Sequence, residues 1–439
     1  MQAYSPTPWF RRIWHASLIV VCLPTWVAAQ PAPSRPVLSI QAAVEAALVR
    51  SQSLAASDAA ARAAREKAVA AAQRPDPVLS LSLNNVPVSG PDRFSTTADF
   101  MTMRSAALMQ TFTREDKRLA RASSFEREAD VALAERATRS ADIGQQTAVA
   151  WLERQAQEQR VQTLQAQLAQ ARLQVQAADA PARGGRGSSS DGLTARDAVA
   201  QLQQALIGAE AELVNARQTL ARWAGGLADQ DLAAAPALTQ TRFSSEQRDA
   251  ALARHPELLS LAARENAAAS QAEVARLERK PDWTGELMFI QRGSAYSNMV
   301  SVVVSVPLQW DRPKRQDREL AAQLARVEGL RADREDLSRA KLAQTQAWLQ
   351  SWRAGLAQLA LIDRERLPLA GQTTELTLAA YRGGQGSLAD VLAARRMALA
   401  LQLERIDVAL ATGRLWAQLE YALPLEENAF TRSTKALAP

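Results

Sequence analysis

The sequence predicts a mainly α protein with a small β part, built from one unit used twice. Three observations predict it. A glycine-rich motif, R-G-G-x-G-S-x-x-D-x-L-x-A-R, occurs at 183–196 and again at 382–395. Each copy interrupts a long Ala- and Leu-rich helical pattern on both sides. Glycine releases the backbone from helical dihedrals, so each copy reads as the tip of a helical hairpin. Upstream of each hairpin, directly after a proline, the apolar period changes from helical to two. Such internal duplication decides the architecture before any single element does.

Composition agrees. Of 439 residues, 47% are apolar but only 5% aromatic, which is helical, coiled-coil-like usage. Lys and Arg number 52 against 46 Asp and Glu, for a formal charge of +6. The charges alternate in sign along the helices and read as solvated faces. No basic block carries interleaved aromatics, so no nucleic-acid partner is expected. The N-terminus has Arg11 and Arg12, then a mostly apolar run from Ile13 to Val21, then Val27-Ala28-Ala29. This reads as a secretory signal peptide over 1–29, cut at Ala29. Cys22 is the only cysteine. Val21 precedes it where a lipidation site wants a small residue, so no lipid anchor is evident. Without Cys22 the mature chain has no thiol.

The first repeat is placed at 30–226. After the Pro31 to Pro36 linker a helix is expected from about 39 to 73, ended by Arg74-Pro75-Asp76. Strands follow at about 77–84 and 100–112. Leu79, Leu81 and Leu83 share one face of the first; Met101, Met103, Ser105, Ala107 and Met109 share one face of the second. A basic turn (Arg114, Lys117, Arg118) leads into a helix from about Asp116 to Ala178, ~60 residues or ~95 Å. Its heptads (Val161, Leu164, Leu168, Ala171, Val175) predict a left-handed seam with the returning helix (Leu202, Leu206, Ala209, Leu213). The hairpin tip is 181–191.

A mixed connector, 227–243, joins the second repeat at 244–423. Its helix ends at Lys280-Pro281-Asp282, and its strands are expected at about 283–291 and 299–309. Val300, Val302, Val304 and Val306 line one face, with Ser301 and Ser305 on the other. Alternating segments of about ten residues are the signature of a membrane β-barrel. Phe112, Trp283 and Trp310 fall near strand ends, where interfacial aromatics belong. The second tip is 381–390, and 424–439 is a tail.

Several residues invite function. Asp390 and Asp191 sit at the N3 position of the returning helices, behind the N-caps Ser387 and Ser188. Each either meets the helix dipole or, repeated by symmetry, forms a carboxylate ring at a pore mouth that favours cations. Gly184, Gly185, Gly187, Ser188, Gly383, Gly384, Gly386 and Ser387 form either simple turns or a partner-binding tip. Arg196 and Arg395 either pair with acidic partners across protomers or are solvated. Met101, Met103 and Met109 share a strand parity that faces lipid or barrel wall, and no metal site is assigned to them. His255 has no Cys or His partner, so it builds no zinc site by itself. There is no nucleophile–base set, phosphate loop or dinucleotide fingerprint, so neither catalytic residues nor a cofactor is expected.

The order helix, strand, strand, long hairpin, then the same again, behind a signal peptide, resembles the TolC-type outer-membrane efflux proteins. The most specific piece is Tyr381-Arg382-Gly383-Gly384 with Ser387, Asp390-Val391-Leu392 and Ala394. Asn84-Asn85-Val86-Pro87, Phe94-Ser95-Thr96-Thr97, Met101-Thr102-Met103 and Gln110 look like the heavy-metal (cobalt–zinc–cadmium type) branch. Two departures stand out. The first tip lacks an aromatic matching Tyr381, and Ala393 stands where some members carry a second acid.

The resemblance implies a homotrimer: a periplasmic α-barrel continued into a 12-stranded β-barrel in outer-membrane lipid, four strands per protomer. It implies a passive exit duct, docked through a periplasmic adaptor (membrane fusion protein) on a proton-driven inner-membrane pump. Heavy-metal cations are the cargo it suggests. A duct for drugs or secreted protein, and a periplasmic coiled-coil interaction protein without a pore, are the alternatives. Two copies of strand-strand-hairpin count against the last.

Overall fold

A computed structural model describes residues 37–183, 189–241, 253–293 and 295–422. It begins with β1 (Val37–Leu38), α1 (Ile40–Arg50) and α2 (Gln52–Ala72). The single helix expected over 39–73 is therefore two. At Ser51 the backbone turns extended (φ −68°, ψ 110°), and its hydroxyl accepts from the Leu54 N–H at 3.3 Å. A serine that caps a new helix competes with continuation of the old one.

The first hairpin is α3 (Glu115–Arg183) and α4 (Ser189–Ala224). At 69 residues, α3 is ~100 Å long. The second repeat has α5 (Pro256–Glu278), α6 (Gln316–Leu361), α7 (Leu367–Arg382) and α8 (Leu388–Glu420). Between α6 and α7 lies a π turn, Ile362–Arg366. Pro368 lies just past it; the wider turn accommodates a ring that would clash in a regular helix. Along the hairpins, α3 packs on both α4 and α8, and α8 packs on α6 and α7. Val161, Leu164 and Ala209 bury together, with Leu202, Leu206, Leu213, Leu399 and Leu403 around them. The heptad seam is thus shared by both hairpins. Among the described residues, no helix is long and apolar enough to cross a membrane.

The main core lies where α1, α3, α4, α6 and α8 meet. Trp151 is fully buried there beside Leu38, Val44, Leu220 and Leu419. Three indoles tie peripheral backbone to it. Trp151 Nε1 donates to the Leu38 carbonyl at 2.9 Å, Trp352 Nε1 to Leu238 at 3.1 Å, and Trp416 Nε1 to Gln240 at 2.8 Å. Arg154, also buried, donates to the carbonyls of Ala228 (2.7 Å) and Gln230 (2.9 Å). The connector is thereby pinned, and its strand β4 (Asp231–Leu232) pairs in parallel with β1.

The second sheet has four strands in the order β2 (Val78–Asn84), β3 (Met103–Phe112), β5 (Trp283–Gln291), β6 (Met299–Ser305). Every pair is antiparallel. The central pair, β3 with β5, joins the two repeats through nine paired positions from Arg104↔Gln291 to Phe112↔Trp283.

Candidate functional site

The sheet has two unlike faces. The register places Leu79, Leu81 and Leu83 beside Leu108, Ala106 and Arg104. Leu108 and Ala106 lie beside Leu287 and Phe289, and these beside Val302 and Val300. The result is a continuous apolar surface across all four strands. It is uncovered: Leu81 is 76% exposed and Val302 73%. Exposed apolar area on this scale marks a binding or membrane surface. The opposite face carries Ser80, Ser82, Ser105, Thr111, Thr284, Glu286, Ser301 and Ser305. The Ser82 and Ser105 hydroxyls bond across it at 2.5 Å. It also carries Met103 and Met109, which share one strand parity as expected, while Met101 precedes β3.

Aromatics mark the helix-proximal end of the apolar face. Phe112 and Trp283 stack with centroids 4.0 Å apart and planes 14° from parallel. Gly285 lies against the stack, where a Cβ would make ordinary contact, 3.4 Å from the Phe112 ring and 3.6 Å from Trp283. At the loop end, Arg104 donates to the Arg292 carbonyl at 3.3 Å. There the two strand connections touch: a Cβ on Gly293 would lie 2.0 Å from the Thr97 carbonyl oxygen.

Below the sheet an ionic cluster joins the repeats. Lys117 is buried (3% exposed) and reaches Glu278 at 3.2 Å and Asp282 at 3.1 Å. Arg121 also holds Glu278. Burial pushes the Glu278 carboxyl up, but its bonds and charge contacts with Arg121 and Lys117 outweigh this and leave it below the usual range. Asp116 is bonded by Arg114, which brings its carboxyl down to about 2. Two of the three cations of the basic turn are therefore committed to ion pairs. The third, Arg118, donates to the Ala72 carbonyl.

At the second hairpin tip, the Gln385 N–H donates to the Ala380 carbonyl (2.9 Å) and the Gly384 N–H to Tyr381 (3.1 Å). With Gly384 at φ +73°, this is a Schellman termination of α7. Only glycine adopts that φ freely. Gly386 passes close to α7: a Cβ would come 3.3 Å from the Tyr381 nitrogen. Ser387 then caps α8. Its hydroxyl accepts from the Asp390 N–H at 3.2 Å, and its own N–H donates to Asp390 Oδ2 at 3.2 Å. The Ser387 hydroxyl is also 2.6 Å from Oδ2. These bonds hold the Asp390 carboxyl below its ordinary pKa. Asp390 and Ser387 remain solvent-exposed, as do Gly383, Gly384 and Gly386.

Leu388 and Leu392 bury against Ala195, with Val175, Ala198 and Tyr381 alongside. The second tip is thus fastened to the first hairpin. Asp191 lies in the first turn of α4 and is partly buried. Gly184, Gly185, Gly187, Ser188 and Ala29 lie outside the described residues. Within the chain Arg395 lies beside the Gln174 amide, whose oxygen, in the orientation that satisfies both groups, accepts from its Nε and Nη1 at 3.0 Å.

Residues 43–226 match the sequence family described as outer membrane efflux protein. No curated protein matches the chain by sequence. Solved structures of outer-membrane channels share the fold at low identity. The Vibrio cholerae outer membrane protein VceC is 19% identical, with 88% of this chain and 96% of that one covered and a TM-score of 0.69. CusC is 16% identical over 88% and 92%, with a TM-score of 0.75. The Campylobacter jejuni channel CmeC is 11% identical over 90% and 88%, at 0.72. The efflux-protein fold thus extends over both repeats, although the family match covers only the first.

Proposed function

We propose that the protein is the outer-membrane exit duct of a tripartite efflux system. It is a passive conduit and not an enzyme. One observation carries this reading: a four-stranded sheet with an uncovered apolar face, a polar face and, among the described residues, both edge strands unpaired on their outer sides. Lipid accepts neither an open sheet edge nor unsatisfied backbone. Three copies related by a threefold axis close twelve strands into a barrel, with valine and leucine outward and serine inward. The aromatic stack then lies at the periplasmic lipid boundary, and the helical hairpins extend into the periplasm.

At the far end, Gly383, Gly384, Gly386 and Ser387, with their counterparts Gly184, Gly185, Gly187 and Ser188, meet a periplasmic adaptor, and a proton-driven inner-membrane pump supplies the energy. Asp390 and Asp191 become carboxylate rings that favour cations. Asp390 does this in addition to capping α8. The loop motif around Asn84–Pro87 and Phe94–Thr97 supports heavy-metal cations as cargo.

The test is the native mass of mature protein extracted from the outer-membrane fraction, with planar-bilayer conductance on the same sample. A conducting trimer is expected. A monomer or dimer without conductance would overturn the duct and favour the pore-free interaction protein.

A further inference from the structure

The chain has seven methionines, and four of them stand in the four-stranded sheet: Met103, Met109, Met288 and Met299. All four fall on the serine-bearing face. The register puts Met109 opposite Glu286, which is flanked by Met288 two residues on. Met288 lies opposite Ser301, and Met299 opposite Ile290. Met109, Met288 and Met299 are therefore successive diagonal neighbours across β3, β5 and β6. Diagonal neighbours are ~7–8 Å apart at the backbone, within reach of long side chains. Met103 stands farther up the same face, opposite Asn84.

Apolarity alone does not explain this placement. The uncovered face carries Leu, Val, Ala, Phe and Trp, with Arg104, Gln110, Gly285 and Gln291, and no methionine at its paired positions. Ala107, Ile290 and Val303 show that the serine face also tolerates apolar side chains, but these offer no donor atom. The thioethers are collected where water and solute pass. They are soft, uncharged ligands that suit monovalent soft cations and discriminate poorly among hard ones. Glu286, directly opposite Met109, adds the negative charge that draws a cation to the wall.

We infer that the diagonal Met109–Met288–Met299, with Glu286 beside it, is a transit site for soft monovalent cations of the Cu(I) or Ag(I) type on the inner wall of the barrel. This rests on the duct reading. Repetition around the threefold axis gives three such stripes. Conduction needs contacts favourable enough to attract an ion and weak enough to release it, and a short ladder of thioethers in water meets that need.

The experiment uses the full mature protein in planar bilayers, in potassium nitrate without chloride, with silver nitrate added. The wild type is expected to show Ag⁺-dependent current interruptions that equal zinc nitrate does not produce. A Met109→Leu/Met288→Leu/Met299→Leu triple variant keeps volume and removes sulfur. Its K⁺ conductance should be unchanged, while the Ag⁺ concentration for half-effect rises about tenfold or more. Glu286→Gln should shift the same curve less. If wild type and triple variant respond identically to Ag⁺, the stripe is wall filler and this inference fails while the duct stands. If the wild type does not conduct K⁺, the duct reading falls and the inference falls with it.

Discussion

The core around Trp151 and the four-stranded sheet are both rich in apolar side chains, yet only one of them is finished within the chain. Trp151 and Ala417 are fully buried, and the Nε1 groups of Trp151, Trp352 and Trp416 each have a carbonyl partner. On the sheet Val302 is 73% exposed and both outer edges are open. The difference teaches that an apolar residue does not by itself say inside. The core solves its burial with neighbours from the same chain. The sheet leaves one face uncovered and, among the described residues, its outer edges unpaired; on the proposed duct reading, lipid and the strands of further copies complete it.

The largest effect should come from breaking the finished region. Trp151→Ala removes a large buried side chain and one of the two hydrogen bonds to the Leu38 carbonyl, which keeps the Ala233 N–H, costing about 3–5 kcal/mol. A fall in the thermal midpoint of detergent-solubilised protein would show it. An unchanged midpoint would mean that this core does not carry the fold.

Next comes a paired test on the sheet. Val302→Arg places a cation on the uncovered face and should cost ~2–4 kcal/mol of membrane assembly. Ser301→Arg, one residue away on the other face, should leave the protein in the outer-membrane fraction. If both fail equally, or if only Ser301→Arg fails, the two faces have been read the wrong way round or the sheet does not meet lipid.

The two regions were also unequally legible in sequence. Period-two alternation at Val300–Val306 depends only on neighbouring residues, so the strand and its parity could be read directly. The second glycine tip was legible for the same local reason. What local pattern could not supply was the third dimension. The face shared by Met103 and Met109 depends on pairing with Ser80 and Ser82, which are far away in sequence. The break at Ser51 was masked because Ala47–Leu48 and Leu54 keep a helical spacing across it, although Ser51 is itself a strong cap. The π turn before Pro368 had a signal, a proline inside a helical pattern, that pointed to a break. The connector looked featureless because its order comes from Arg154, Trp352 and Trp416, none of which lies within it. The Gln174 amide beside Arg395 is a contact that only the fold brings together. Asp390 carried its capping role openly, in the S-x-x-D spacing.

The ionic cluster beneath the sheet lies between the two regions and sharpens the contrast. Lys117 is nearly as buried as Trp151, but Glu278 and Asp282 are 40% and 21% exposed. Solvent therefore screens part of what its loss would cost. Lys117→Met should destabilise by about 1–3 kcal/mol, less than a fully buried pair. Double-mutant cycles with Asp282→Asn, read by thermal unfolding, should show coupling. Additive effects would mean that the lysine is packed there without pairing.

The smallest effect is expected at the second tip, where the region is neither buried nor unfinished but locally capped. Ser387→Ala removes the hydroxyl that accepts from the Asp390 N–H, costing roughly 0.5–2 kcal/mol. The loss should appear as faster hydrogen exchange in the first turn of α8, with little change in the global midpoint. The pH dependence has a definite sign. Ser387 donates to the ionised Asp390 carboxylate and lowers its pKa in the folded tip. The contribution is therefore fully present above the ordinary aspartate value, near about pH 4, and is lost as pH falls through the lower folded value. After correction for intrinsic exchange rates, tip protection should decline only on the acid side of about pH 4. Asp390→Asn should flatten that decline. A wild-type profile equally flat would show that the box does not hold the tip, and would leave Asp390 without the local role that its geometry assigns.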